Sequence, residues 1–205
     1  MKTITDITPQ VKSATRCNVF LDGEFFCGMN LETVMKNRLR VGLTVTEAEL
    51  EAIQLESDLH TAIDKAMTYL TGSVKTEKQV RDYLKEKGFT YPVIARVIEK
   101  LADYGFLNDE YYAKRYAETY ADKKGARLIK LELRKKGVKD DAADQAVEGL
   151  GDQTDAAIAI AKKYMRGKEP DLKTVQKLYR HLLSKGFGYD EAKAAADAVR
   201  AEEED

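Results

Sequence analysis

The sequence predicts a mainly α protein, built of tandem three-helix units of helix-turn-helix type in an elongated array and preceded by a small N-terminal β-hairpin and helix element. Three observations predict it. Charged residues make up 34% of the 205 residues, against only 13 glycines, 3 prolines and no tryptophan, a balance that favours helices over strands. Three glycines, each preceded by lysine and each four residues after a leucine (Leu84 with Gly88, Leu133 with Gly137, Leu182 with Gly186), stand 49 residues apart, which marks an internal repeat. The first thirty residues differ from the rest, with β-branched and aromatic residues around Asp22-Gly23, a strong short-range hairpin signal.

Taken in order, the chain begins with an element over residues 1–57. A two-residue turn at Asp22-Gly23 sets Cys17 opposite Gly28 and Cys27 opposite Asn18, so the only two cysteines are not opposed and a structural role is expected rather than a disulfide. In that register Val19, Leu21 and Phe26 share one face and Phe20, Phe25 and Cys27 the other. Both faces are apolar and need cover from the preceding strand and the following helix. A short helix over Leu31–Leu39 stops at Gly42, and Thr46 with Glu49 forms a capping box for a second helix that begins at Glu47 and ends near Glu56.

Residues 58–107, 108–152 and 153–200 form the three units. Val80, Ile129 and Leu178 precede the three glycines in one frame, Phe89, Val138 and Phe187 follow them, and Leu101, Leu150 and Val199 close the units. Each glycine ends a helix whose last turn is basic, the pattern of a left-handed C-cap, and another amphipathic segment follows it. A first helix precedes each pair, over Leu59–Leu70, Asp109–Lys123 and Asp155–Arg166. Units this small bury little alone, so neighbours are expected to stack. The acidic end of the chain, residues 201–205, is expected to fray.

The net charge is −1, yet between Lys123 and Lys139 eight basic residues face one acid, Glu132. At about 100° per residue, Ala126, Ile129 and Leu133 fall on one helix face, while Lys123, Arg127, Lys130 and Arg134 cluster within roughly 60° on the next. Such a helix buries one side and offers the other to a polyanion; lysine and arginine also simply solvate exposed helices, though with mixed signs more often than one. These four residues are the candidate partner-binding set.

His60 and His181 lie in charged helices without a motif, and the chain shows no phosphate-cradling loop, metal-ligand spacing or nucleophile elbow. The expectation is a non-enzyme with no cofactor and no metal. Asp109 and Glu110 are accounted for by charge and capping at a helix start, and Tyr112, Tyr116 and Tyr120 by a packing stripe. No run of about 18 apolar residues and no signal segment is seen, so a cytoplasmic protein without membrane association is expected; the lack of a long apolar seam predicts a monomer. Two function classes remain, an interaction protein and a direct DNA binder, and the near-zero net charge favours the first.

Leu107, Asp109, Tyr112, Ala113, Tyr116, Gly125, Arg127, Leu128, Leu133, Lys136, Gly137 and Val138 together resemble the central signature of the RecX regulators of the RecA recombinase. The likeness runs through the tandem units from about residue 58 to 200, and the Asp-Gly-Glu hairpin is similar to the N-terminal extension of some members. The final unit, with its longer loop at Gly167 and Pro170, matches least. The resemblance implies negative regulation of homologous recombination, DNA repair and the SOS response, by binding RecA filaments on single-stranded DNA and suppressing ATP hydrolysis, strand exchange and co-protease activity. Direct contact with single- or double-stranded DNA is the alternative.

Overall fold

The computed structural model describes residues 1–11 and 13–201; the acidic residues 202–205 fall outside the described part. It is mainly helical, with tandem three-helix domains and a small N-terminal strand element. The chain divides into two compact units, Met1–Val74 with Val80–Phe106, and Lys75–Gln79 with Leu107–Asp205.

In the first unit β1 (Lys2–Gln10), β2 (Ser13–Leu21), β3 (Glu24–Asn30) and the short β4 (Thr44–Val45) form an antiparallel sheet in the order β3-β2-β1-β4. The hairpin turns at Asp22-Gly23 as expected, but its register changes beyond the first two pairs. Phe20 faces Phe25, then Val19 faces Cys27 and Cys17 faces Met29. Phe26 is the extra residue of a β-bulge, and one extra residue exchanges the two faces of the strand beyond it. Cys27 therefore joins Cys17, Val19, Leu21 and Met29 in the buried core, while Phe25 is left exposed against the edge of Phe20. Both thiols are free and buried, and burial above all pushes Cys27 up to about 11.

After α1 (Leu31–Lys36), the capping box at Thr46 and Glu49 opens α2, in which each side chain bonds the other residue's amide. The break expected near Glu56 does not occur: α2 runs unbroken over Glu47–Thr71. No glycine or proline interrupts that stretch. Ser57 is fully buried with its Oγ accepting the amide of Asn30 at 2.6 Å, so it fastens α2 to the sheet. Helices α3 (Glu77–Glu86) and α4 (Tyr91–Asp103) follow, with α4 packed on α2.

The second unit holds α5 (Asp109–Tyr120), α6 (Ala126–Lys135) and α7 (Asp140–Glu148), then α8 (Thr154–Met165), α9 (Leu172–Ser184) and α10 (Tyr189–Ala201). Val80, Ile129 and Leu178, in one frame of the repeat, are all fully buried. Gly88, Gly137 and Gly186 take φ of +86°, +90° and +90°. The residue after each returns its amide to the leucine five positions back, at 3.2, 3.1 and 3.3 Å. Only glycine takes that left-handed turn without strain.

Within the second unit the start of one middle helix seats on the glycine turn of the next repeat, and it does so twice. At the start of α3, Thr76 Oγ donates to the carbonyl of Lys136 at 2.7 Å, the amide of Glu77 donates to Asp109 Oδ1 at 2.9 Å, and Lys78 packs on Gly137. Forty-nine residues on, the amide of Gly125 donates to the carbonyl of Lys185 at 2.9 Å, that of Ala126 to Gln153 Oε1 at 2.7 Å and that of Arg127 to the carbonyl of Gly186 at 3.1 Å, with Leu128 on Gly186. A helix start leaves its first amides without intrahelical partners; here the neighbouring repeat supplies them. A Cβ on Gly137 or Gly186 would come within 3.0 Å of Lys78 or Leu128, whereas one on Gly88 would meet nothing.

Alanine substitution separates turn strain from this contact. Gly88→Ala should cost the left-handed strain alone, about 1–2 kcal/mol, and Gly186→Ala a further ~1–3 kcal/mol of overpacking. Urea denaturation followed by circular dichroism checks the order; equal costs would mean the contact at Gly186 yields freely.

Candidate functional site

The basic stretch folds differently from a single helical stripe. Gly125 is the N-cap of α6, with extended backbone at φ −76° and ψ 162°, and Lys123 lies before it, in the turn that leaves α5. The helical wheel therefore holds for Arg127, Lys130 and Arg134 but not for Lys123. Ile129 and Leu133 are fully buried, as the wheel requires, and Ala126 is half-buried.

Acids from the next helix offset much of the charge. Lys130 pairs with Asp144, and Arg134 Nε lies 2.6 Å from Asp140 Oδ1, both acids on α7. These pairs are partly exposed, so each contributes at most about 1 kcal/mol, but they remove the single sign of the stripe. Arg127 instead places its guanidinium 5.0 Å from the ring centroid of Tyr189. The basic run ends at Lys139, and the acids that offset it begin at the next residue, Asp140.

Lys123 lines a cavity of about 600 Å³ together with Asp122, Ile160, Lys163, Tyr164, His181 and Lys185. His181 stacks on Tyr164 with centroids 4.9 Å apart, and Lys168 Nζ sits 3.5 Å from the same ring's centroid. Burial first, then repulsion from Lys185 and Lys168, holds His181 below its usual value. Both effects disfavour the imidazolium, and an anion entering the recess would favour it. Sequence reasoning missed this cluster because its members come from α8, α9 and the turn before α6.

The residues of the central signature occupy the core and the inter-repeat joint. Tyr112 and Ala113 are buried; Tyr112 stacks on Tyr116 at 5.9 Å, and Tyr120 packs against Tyr116 at 4.5 Å with its ring tilted by 43°. Tyr116 donates to Glu132 Oε2 at 2.8 Å, and Lys124 pairs with the same carboxylate at 2.6 Å. Burial raises Glu132, but hydrogen bonds from Lys124 and Tyr116 outweigh it and leave the carboxyl below its usual range. Lys136 offers its carbonyl to Thr76 and its ammonium, at 5.3 Å, to the Tyr116 ring. Gly125, Leu133 and Gly137 hold the turn and core described above. Asn108, not Asp109, caps α5, its Oδ1 accepting the amide of Tyr111. Asp109 caps α3 instead; burial raises its carboxyl against the amide bond from Glu77. Gln153, almost fully buried, fills the same role for α6 and also donates to the carbonyls of Ala121 and Lys124. Its place at the start of a repeat, like that of Asp109, was the available signal.

Among the described residues no cluster of three or more His, Cys, Asp or Glu side chains could hold a metal ion, and no helix is long and apolar enough to cross a membrane.

Family models described as the regulatory protein RecX N-terminal domain and the first, second and third three-helix domains of RecX match residues 2–46, 62–101, 108–147 and 151–195. The regulatory protein RecX of Bacillus subtilis (strain 168) is 32% identical over 212 residues, covering 100% of this chain and 80% of that protein. That of Clostridium perfringens (strain 13 / Type A) is 35% identical over 196 residues, covering 93% and 92%. A crystal structure of regulatory protein RecX superposes with a TM-score of 0.69 at 25% identity over 96% of this chain and 100% of that one. RecX from Lactobacillus salivarius gives 0.62 at 29% identity, over 70% and 97%.

The shared carboxylate gives a pH-dependent test. Tyr116→Phe should cost about 1 kcal/mol near neutrality. Because Glu132 titrates below its unfolded value, its contribution is complete above the carboxylate range and is lost as pH falls through the folded value. The penalty of Tyr116→Phe, measured by urea midpoints, should therefore shrink at acid pH; a constant penalty would separate the tyrosine from the carboxylate.

Proposed function

Because the chain belongs to the RecX family of regulatory proteins, we propose that it binds RecA filaments on single-stranded DNA in the cytoplasm and restrains their ATPase, recombinase and co-protease activities. The observation that carries this reading is the run of four consecutive RecX family domains from residue 2 to residue 195. Regulation of this kind requires binding and no catalysis. Repeated units suit a repeating target, because weak contacts on neighbouring lattice subunits add through effective concentration. The units at 58–107, 108–152 and 153–200, with the element at 1–57 before them, are the modules that would meet successive subunits.

Lys123 and Arg127 are the contact residues we favour. Neither depends on an acid of α7, whereas Lys130 and Arg134 must exchange Asp144 and Asp140 for acids of the filament. Reversing Lys123 and Arg127 to glutamate should weaken inhibition of DNA-stimulated RecA ATP hydrolysis by about tenfold or more, with helix content unchanged. Unaltered inhibition in that variant would leave the stripe as solvated surface.

Direct nucleic-acid contact is the second reading, and the cavity lined by Lys123, Lys163 and Lys185 against the single acid Asp122 favours it. It requires binding of single-stranded DNA without recombinase, with log affinity falling linearly in log salt. If no such binding occurs, the cavity serves another purpose.

A further inference from the structure

One contact recurs in all three repeats with a different residue in the middle helix. Tyr69, Tyr116 and Tyr164 each stand three residues after a fully buried alanine, Ala66, Ala113 and Ala161. Each tyrosine meets the middle helix at one position of the 49-residue frame, occupied by Tyr83, Glu132 and His181. The residue that follows the middle helix is lysine every time, Lys87, Lys136 and Lys185.

The first two repeats satisfy this cluster from within. In the first, the Tyr69 and Tyr83 rings stack 4.3 Å apart, and Lys87 lies 5.2 Å from the Tyr83 ring centroid and 3.6 Å from Glu86 Oε1. In the second, the Glu132 carboxylate accepts the Tyr116 hydroxyl at 2.8 Å and the Lys124 ammonium at 2.6 Å. The third repeat carries no carboxylate in this frame. His181 stands there against Tyr164, in the recess lined by Lys123, Lys163 and Lys185, with Lys168 over the same tyrosine ring. Among the described residues none of these four lysines forms an ion pair, and neither the Tyr164 hydroxyl nor the His181 ring forms a hydrogen bond.

We propose that this recess is a phosphate site, in which a phosphate group of a bound ligand takes the part that the Glu132 carboxylate plays one repeat earlier. The Tyr164 hydroxyl donates as that of Tyr116 does, and the ammonium groups of Lys163 and Lys185, with Lys123 at the rim, meet the remaining oxygens. One carboxylate suits one ammonium and one hydroxyl; three ammonium groups from three elements suit a dianion with more oxygens. A cavity of about 600 Å³ has the size of small-molecule sites, and Ala159 and Ile160 give it an apolar wall. Burial, Lys185 and Lys168 disfavour the imidazolium of His181, with Asp122 the one acid in the lining, so a bound dianion draws a proton to the ring. A small phosphorylated molecule and the backbone of a single strand share this chemistry, and only the second source rests on direct nucleic-acid contact.

The chain has two histidines, His60 and His181, in different compact units, so proton NMR of the full chain carries its own control. Inorganic phosphate, added against chloride at constant ionic strength, should raise the titration midpoint of His181 by about one pH unit and leave that of His60 in place. His181→Glu restores the carboxylate of the second repeat, and by calorimetry it should weaken phosphate binding about tenfold or more. His181→Gln should stay within about threefold of the unmodified chain. The double variant Lys163→Ala, Lys185→Ala should show the loss of His181→Glu with an unchanged helical spectrum, and it decides the matter if His181→Glu does not fold. A His181 midpoint that moves no further than that of His60 overturns the proposal, as does phosphate affinity that survives these variants. A single-stranded oligonucleotide that displaces phosphate supports the site with a strand as its source, and one that fails to displace it supports the site with a small molecule. No recombinase enters these titrations, so failure of the site leaves the regulatory reading standing.

Discussion

The approach of one repeat's middle helix to the next repeat's glycine turn is the constraint on which the second unit depends. A helix end presents amides with no partner of their own, and a helix C-terminus presents carbonyls in the same predicament. Setting one against the other satisfies both, provided no side chain stands between them. Gly137 and Gly186 meet that condition, and their positive φ meets the separate demand of a left-handed cap. One residue type thus answers a conformational need and a steric one. At Gly88, where a Cβ would meet nothing, the positive φ alone requires glycine. Asp109 and Gln153 complete the same joint with different chemistry, a carboxylate in one repeat and an amide in the other.

Electrostatics in this chain is arranged locally. The dense basic stretch is matched by acids of α7, and Glu132 serves Tyr116 and Lys124 together. The positive charge that escapes this matching gathers where α8, α9 and the turn before α6 converge, around a histidine whose charged form is disfavoured by burial and by its lysine neighbours. A net charge of −1 therefore conceals a contrast between an offset surface on α6 and α7 and a cationic recess beside it.

Much of the fold was legible because it rests on periodicities. The glycine period gave the repeat, the buried positions Val80, Ile129 and Leu178 followed from its frame, and the capping box at Thr46 and Glu49 formed as read. The failures share one physical origin, which is that a local pattern does not know its tertiary partner. The helix expected to end near Glu56 runs on to Thr71, held to the sheet by the buried Ser57. Phe26 looked like an ordinary strand residue and is a bulge that turns Cys27 inward. Lys123 fell on the right side of a wheel for a helix that begins three residues later. Asp109 was read correctly as a cap but given to the wrong helix, because the helix it caps begins 32 residues earlier in the chain.

The same locality bears on how such a surface discriminates among partners. An unmatched stripe of four cations would attract any polyanion, nucleic acid foremost, through counterion release. Pairing Lys130 with Asp144 and Arg134 with Asp140 lowers that indiscriminate attraction and keeps the side chains extended in place. Because exposed pairs contribute little, exchanging an internal acid for an external one costs little, but only a partner whose acids match the positions of Asp140 and Asp144 recovers the full interaction. In the filament contact proposed above, specificity would then come from competition with the chain's own acids. That competition is confined to α6 and α7, since the positions 49 residues on are Tyr179, Leu183, Tyr189 and Lys193, so each repeat presents a different surface on a shared frame.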